Sequence, residues 1–248
     1  MNTDATRRVG IIQSSYLPWR GYFDLIDDVD LFIFLEDVQY SRGTWRNRNR
    51  IKTAQGLIWL TVPVHHKADT LIQEVEIDYR RSWVDKHVGS LRQHYGRAPY
   101  FGDYCQPIFD LLASRMPTIS QLNVALTREI MRMLAITTPT RLSSEFAAAG
   151  RKDERVVSLL RAAGASEYLS GPTAKGYIDP RRFEKAGIRL AYKTYDYGDY
   201  PQLYGPFEGT VSVVDLLFNC GPQARSHLKS RTPGTPAVRV EGLAESRS

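Results

Sequence analysis

Two apolar runs near the start of the chain carry the strongest constraint on its fold. VGIIQ (9–13) and LFIFLED (31–37) each run apolar and then end in polar side chains. That is the form of a central strand in an α/β sheet, whose polar end lies at the sheet's functional edge. Between them, GYFDLIDDVD sets Tyr22, Leu25, Ile26 and Val29 at helical spacing. Strands and helices keep alternating further along. TRLSSEF (140–146), GASEYLSGP with its glycine-marked turn, and IRLAYKTYD read as strands, and residues 151–163 and DPRRFEKAG read as helices. The expected fold is α/β and Rossmann-like, with a largely parallel sheet.

Other segments depart from that rhythm. LIWLTVPV (57–64) predicts a third strand ended by Pro63, and IQEVEID (72–78) a short edge strand, with the basic stretch before them as a loop. From Ser82 the pattern turns helical, with Ser82 and Asp85 placed as a capping box. Helices are expected over 103–116 and 118–135, and TVSVVDLLFNCG is a last helix closed by Gly221. The predicted organisation is a flexible N-terminus (1–8), one α/β domain (9–228) with a helix-rich insertion or subdomain at about 80–138, and a disordered tail (229–248).

At 248 residues the chain is long enough for a core that needs no disulfide or metal staple. Two cysteines fit a reducing compartment, and no apolar run approaches the ~20 residues of a membrane helix. A cytoplasmic protein without membrane contact is expected. The formal charge of +6 favours anionic partners.

The chemistry concentrates in SRGTWRNRNRIK (41–52). Arginine forks grip phosphate or carboxylate. In an extended chain Arg46, Arg48 and Arg50 share one side, and Asn47 and Asn49 the other. A nucleic-acid arm would use the same residues with interleaved aromatics, yet this run holds only Trp45. Its position between two strands favours a folded anion site instead. Upstream, QSSYLPWRGY follows the first strand and supplies Gln13, Tyr16 and Trp19 for a pocket wall. Asp37 and Gln39 follow the second strand, with Asp37 placed as a general base. His87, on a helix face with Trp83, is the second catalytic candidate, and a packed histidine is its alternative reading. After the strand at YLS, Ser170, Gly171 and Lys175 offer an anion-binding turn. There is no metal-ligand spacing and no GxxxxGK[ST] loop, so the sequence names no cofactor.

The blocks QSSYLPWRGYFDLI, FLEDVQYSRGTWRNRNRIKT, WLTVPV, YLSGP and VVDLLFNCGPQA, in this order, resemble the WbqC-like family of bacterial proteins. The resemblance spans Val9 to about Leu228. The family usually reads QPNYLPW where this chain has Ser14 and Ser15, a change expected to loosen the loop and remove an amide. The resemblance implies a place in surface-polysaccharide or specialised-metabolite biosynthesis, including O-antigen, and aminoacyl transfer, glycyl among the groups suggested. The function expected is a transferase that joins an acyl or aminoacyl group to an amine. Its substrate would be an anionic small molecule such as a nucleotide-sugar, or a carrier-bound acyl donor. A non-catalytic binding or assembly protein and a tRNA-binding protein are the alternatives, and the oligomeric state stays open.

Overall fold

The computed structural model describes residues 6–229 and 235–236. The elements run β1 (Arg8–Ile12), α1 (Arg20–Asp27), β2 (Leu31–Phe34), β3 (Arg48–Thr53), β4 (Gly56–Thr61), β5 (Val64–His65), β6 (Glu76–Ile77), α2 (Trp83–Tyr95), α3 (Phe101–Ala113) and α4 (Ile119–Met133). They continue with β7 (Thr140–Leu142), α5 (Asp153–Ala162), β8 (Glu167–Ser170), α6 (Pro180–Lys185), β9 (Arg189–Tyr192), α7 (Val213–Cys220) and β10 (Thr235–Pro236).

The main sheet has the order β10-β9-β8-β1-β2-β7. Its five strands from β9 to β7 are parallel, and β10 pairs antiparallel with β9. From β1 the chain first builds outward through β2 to β7. It then returns to the other side of β1 and builds outward again through β8 and β9. This is a doubly wound Rossmann-like sheet, and the direction reverses between β1 and β8.

Side-chain alternation covers both faces. Phe32, Phe34 and Leu169 enter one core with Phe23 of α1 and Phe218 of α7. Val9, Ile11, Ile33 and Tyr168 enter a second core with Leu160 of α5 and Phe183 of α6. Phe34 is fully buried, and truncating such a ring to alanine costs about 3–5 kcal/mol. Helices α2 to α4 share the first core, through Tyr95, Phe109 and Leu126.

The structure corrects several local expectations. The basic stretch is not a loop: Arg48–Thr53 is strand β3, and LIWLTVPV supplies its antiparallel partner β4 instead of a strand of the main sheet. Ala54 and Gln55 turn the hairpin, with Gly56 at φ +110 where a side chain would be strained. IQEVEID gives a 3₁₀ turn and only the two-residue β6. Ser82 precedes α2 without a capping bond, whereas Thr118 caps α4 reciprocally with Gln121. Arg8 opens β1, donating its backbone N–H to Asp30 and pairing its side chain with Glu167, so the N-terminal segment is not free up to residue 8. Lys229 is ion-paired with Asp27 and Asp28, and Thr235–Pro236 pair with β9, both within the span expected to be a disordered tail. Residues 1–5, 230–234 and 237–248 lie outside the described residues. No helix among the described residues is long and apolar enough to cross a membrane.

Candidate active-site cleft at the switch point

Ligands in doubly wound sheets bind beyond the carboxyl ends of the strands, where the winding reverses. Here that place lies after Ile12 of β1 and Ser170 of β8. The loop after β1 is held from below by Glu36, which follows β2 and is buried. Its carboxylate accepts from the Ser14 backbone N–H at 2.7 Å and from the Ser14 hydroxyl at 2.9 Å. Asn123 of α4 donates to the Ser14 hydroxyl at 3.3 Å and to the Arg46 carbonyl at 2.8 Å. The two serines therefore fix this loop rather than loosen it. A proline at position 14 would remove the N–H that Glu36 accepts.

Arg46, at the mouth of β3, reaches over the same loop. Its guanidinium donates to Gln13 Oε1 at 2.5 Å and to Ser15 Oγ at 2.8 Å, while its buried Nε has no partner. Burial lowers its pKa, and the neighbouring Tyr22 and Glu36 oppose that shift. An arginine stays charged in any case.

Two cavities meet here, sharing Ile12, Gly171 and Thr173. The smaller, about 480 Å³, has aromatic walls from Trp19, Trp45 and Tyr195, and Arg46 and Arg50 as its charges. Among the described residues no carboxylate lines it. Trp19 stands edge-on to Tyr195 at 4.9 Å. Arg50 is held by the Thr210 hydroxyl at 2.9 Å. The larger cavity, about 810 Å³, is lined by Gln13, Ser170 and charged groups of both signs on and before α5, including Asp153, Glu154 and Arg155. Arginine forks beside aromatic rings can grip an anion attached to a flat group.

Among the residues singled out by sequence, Gln13, Trp19, Trp45, Arg46, Asn49, Arg50, Ser170 and Gly171 line this cleft. Others are placed elsewhere. Arg48 lies over the Trp59 ring at 4.4 Å and donates to the Gly43 carbonyl, so the three arginines do not converge. Asn47 is buried and donates to Val62 O at 2.9 Å. Asn49 donates to Leu17 O at 2.7 Å, so its amide holds the backbone while it borders the cavity. Gln39 donates to Ala68 O at 2.5 Å. Lys175 sits over Tyr192 at 5.2 Å. Both oxygens of Asp37 are engaged, one by the Ser143 hydroxyl at 2.7 Å and the other by Arg155.

Tyr16 is fully buried, its hydroxyl 2.8 Å from His87 Nδ1. His87 also bonds the Thr61 backbone and borders a separate cavity of about 360 Å³ with Trp59, Arg81 and Lys86. Burial pulls its pKa down to about 4, so at neutral pH it is an uncharged, satisfied ring.

Sequence reasoning missed Glu36 as the anchor of the first loop, Arg155, and Tyr195 as a cavity wall. The tyrosine-rich run YKTYDYGDYPQLY was the available signal for Tyr195. No group of three or more potential metal ligands gathers among the described residues. Cys105 and Cys220 are buried and unpaired, and burial raises the Cys220 thiol to about 11, unlike an activated nucleophile.

A protein of Mycobacterium tuberculosis, named as uncharacterized protein Rv1507c, is 44% identical over 229 residues, covering 90% of this chain and 98% of that one. No solved structure matches the chain. The WbqC-like family model matches residues 13–227, from the first-loop glutamine to the turn after α7, and the chain belongs to the WbqC-like protein family.

Proposed function

We propose that this protein is a transferase that moves an acyl or aminoacyl group, glycyl among them, onto the amine of a sugar or related metabolite in polysaccharide or specialised-metabolite biosynthesis. One observation carries the reading: a two-lobed cleft at the switch point, with a cationic aromatic lobe on one side of Gly171 and a lobe containing carboxylates on the other. Arg46 and Arg50 would hold the anionic end of the substrate, and Gln13 would orient it. The amine nitrogen attacks the acyl carbonyl carbon, the bond from that carbon to the carrier breaks, and the amine's proton leaves. Asp153 and Glu154 line the larger lobe and would accept that proton. Asp37, committed to Ser143 and Arg155, would hold Arg155 against the wall of the larger lobe. Donors preorganised around the carbonyl oxygen would stabilise its developing charge.

The test pairs amino-sugar nucleotides with thioester-borne and RNA-borne acyl donors and reads the products by mass spectrometry. An amide product, with kcat/KM reduced at least about tenfold in Arg50→Ala, is expected. Binding of the nucleotide-sugar with unchanged mass under every donor would overturn the reading and leave a non-catalytic binding protein.

A further inference from the structure

We infer that the outer face of the β3–β4 hairpin is a stacking ledge for an unpaired strand of nucleic acid. The arginine run holds one tryptophan in sequence, but hairpin register supplies a second, because Arg50 pairs with Trp59. The Trp45 and Trp59 rings lie 5.5 Å apart at 33°, and they are 45% and 46% exposed. Arg48 covers Trp59 at 4.4 Å, and Arg50 lies 5.8 Å from Trp45 and 5.6 Å from Trp59. The Nε atoms of both arginines are buried and have no hydrogen-bond partner.

The ledge joins two cavities. Trp45 and Arg50 border the cationic lobe of the cleft, and Trp59 borders the cavity that holds Arg81 and Lys86. Among the described residues no carboxylate lines either cavity. A path of alternating flat rings and cations suits a polyanion that carries flat rings. Bases stack on aromatic faces and phosphates meet the arginines. Paired strands hide the faces of their bases, so the ligand is single-stranded. One end of such a strand would enter the cleft, a step that rests on the transferase reading, whereas binding at the ledge does not.

The experiment titrates a labelled single-stranded RNA of roughly a dozen nucleotides, within the span of an aromatic groove of this kind, against the full chain at several salt concentrations. Fluorescence anisotropy reports affinity. Trp59→Ala is expected to weaken binding about tenfold. Arg48→Ala should flatten the log–log salt slope by about 0.7, the share of one phosphate on a single strand. Trp59 lies outside the cleft, so turnover of a small substrate should survive its loss. No binding at low salt, unchanged affinity in Trp59→Ala, or equal competition by heparin or duplex RNA would overturn the inference. RNA binding without transfer sinks the transferase reading alone, and transfer without RNA binding sinks the ledge alone.

Discussion

Arg46 holds Gln13 across the end of the first strand, guanidinium Nη1 to amide oxygen at 2.5 Å, with Ser15 Oγ 2.8 Å from the other nitrogen. One side chain thus fixes the loop after β1 while lining the cationic lobe. Lysine keeps the charge but has a single ammonium in place of the planar fork, so it cannot bridge both partners in this geometry. Arg46→Lys is expected to cost about 1–2 kcal/mol of stability, the scale of one or two lost hydrogen bonds. It should also weaken a nucleoside diphosphate at least about tenfold, since a displaced loop moves the anion site with it. Urea unfolding and calorimetric titration check both effects. Full affinity in the lysine variant would show that charge alone suffices.

Asp37 and Arg155 form a largely buried pair, with 14% and 16% of their side chains exposed. If Asp37 acts by positioning Arg155, the two share one effect on transfer. The double variant Asp37→Asn, Arg155→Met should then lose no more of kcat/KM than the worse single variant. A base acts independently of Arg155, and the losses would multiply. The single Asp37→Asn change should also destabilise the fold by about 1.5–3 kcal/mol, the range for a charged hydrogen bond.

The parallel sheet was legible because burial on both faces forces apolar runs, as in VGIIQ and LFIF. The β3–β4 hairpin was not. Its inner face carries Asn49 beside Ile51, and its outer face arginines, so no apolar alternation marks β3. That Arg46 and Arg50 would border the cleft was readable from the basic run that follows the second strand. The fate of Asp37 was not, because its partners Ser143 and Arg155 lie 106 and 118 residues away. Trp59 follows the basic run closely in sequence, but only strand register puts it opposite Arg50. IRLAYKTYD alternates like a strand through Tyr195, but β9 ends at Tyr192, and Tyr195 reaches Trp19 from a stretch without regular structure.

Gly21 lets the Trp19 indole lie flat against α1. A Cβ built there would meet the indole at 2.4 Å, which no real contact tolerates. Gly21→Ala gains about 1 kcal/mol of helix propensity but must push Trp19 off the wall it makes with Tyr195. Weaker nucleotide binding with near-normal thermal stability is expected, together with a shift in tryptophan emission. Unchanged ligand affinity would show that Trp19 is packing and not a binding surface.

His87 carries a pH dependence that can be isolated. It accepts from the Tyr16 hydroxyl, bonds the Thr61 backbone and packs edge-on against Trp83 at 5.2 Å. Its pKa falls from the ordinary 6.5 to about 4 because burial penalises the imidazolium. Above the unfolded value both states are neutral there, and His87 adds no slope. Below it the unfolded chain takes up a proton that the folded chain refuses, so stability falls with pH at about 1.4 kcal/mol per unit. The loss accumulates down to the folded value and amounts to roughly 3 kcal/mol. Wild type and His87→Gln should therefore differ in the slope of urea midpoint against pH between about 6.5 and 4, with the wild type steeper, and run parallel above that window. Parallel curves throughout would mean that His87 takes up its proton in the fold as readily as in the unfolded chain, which would reopen a proton-transfer role for it.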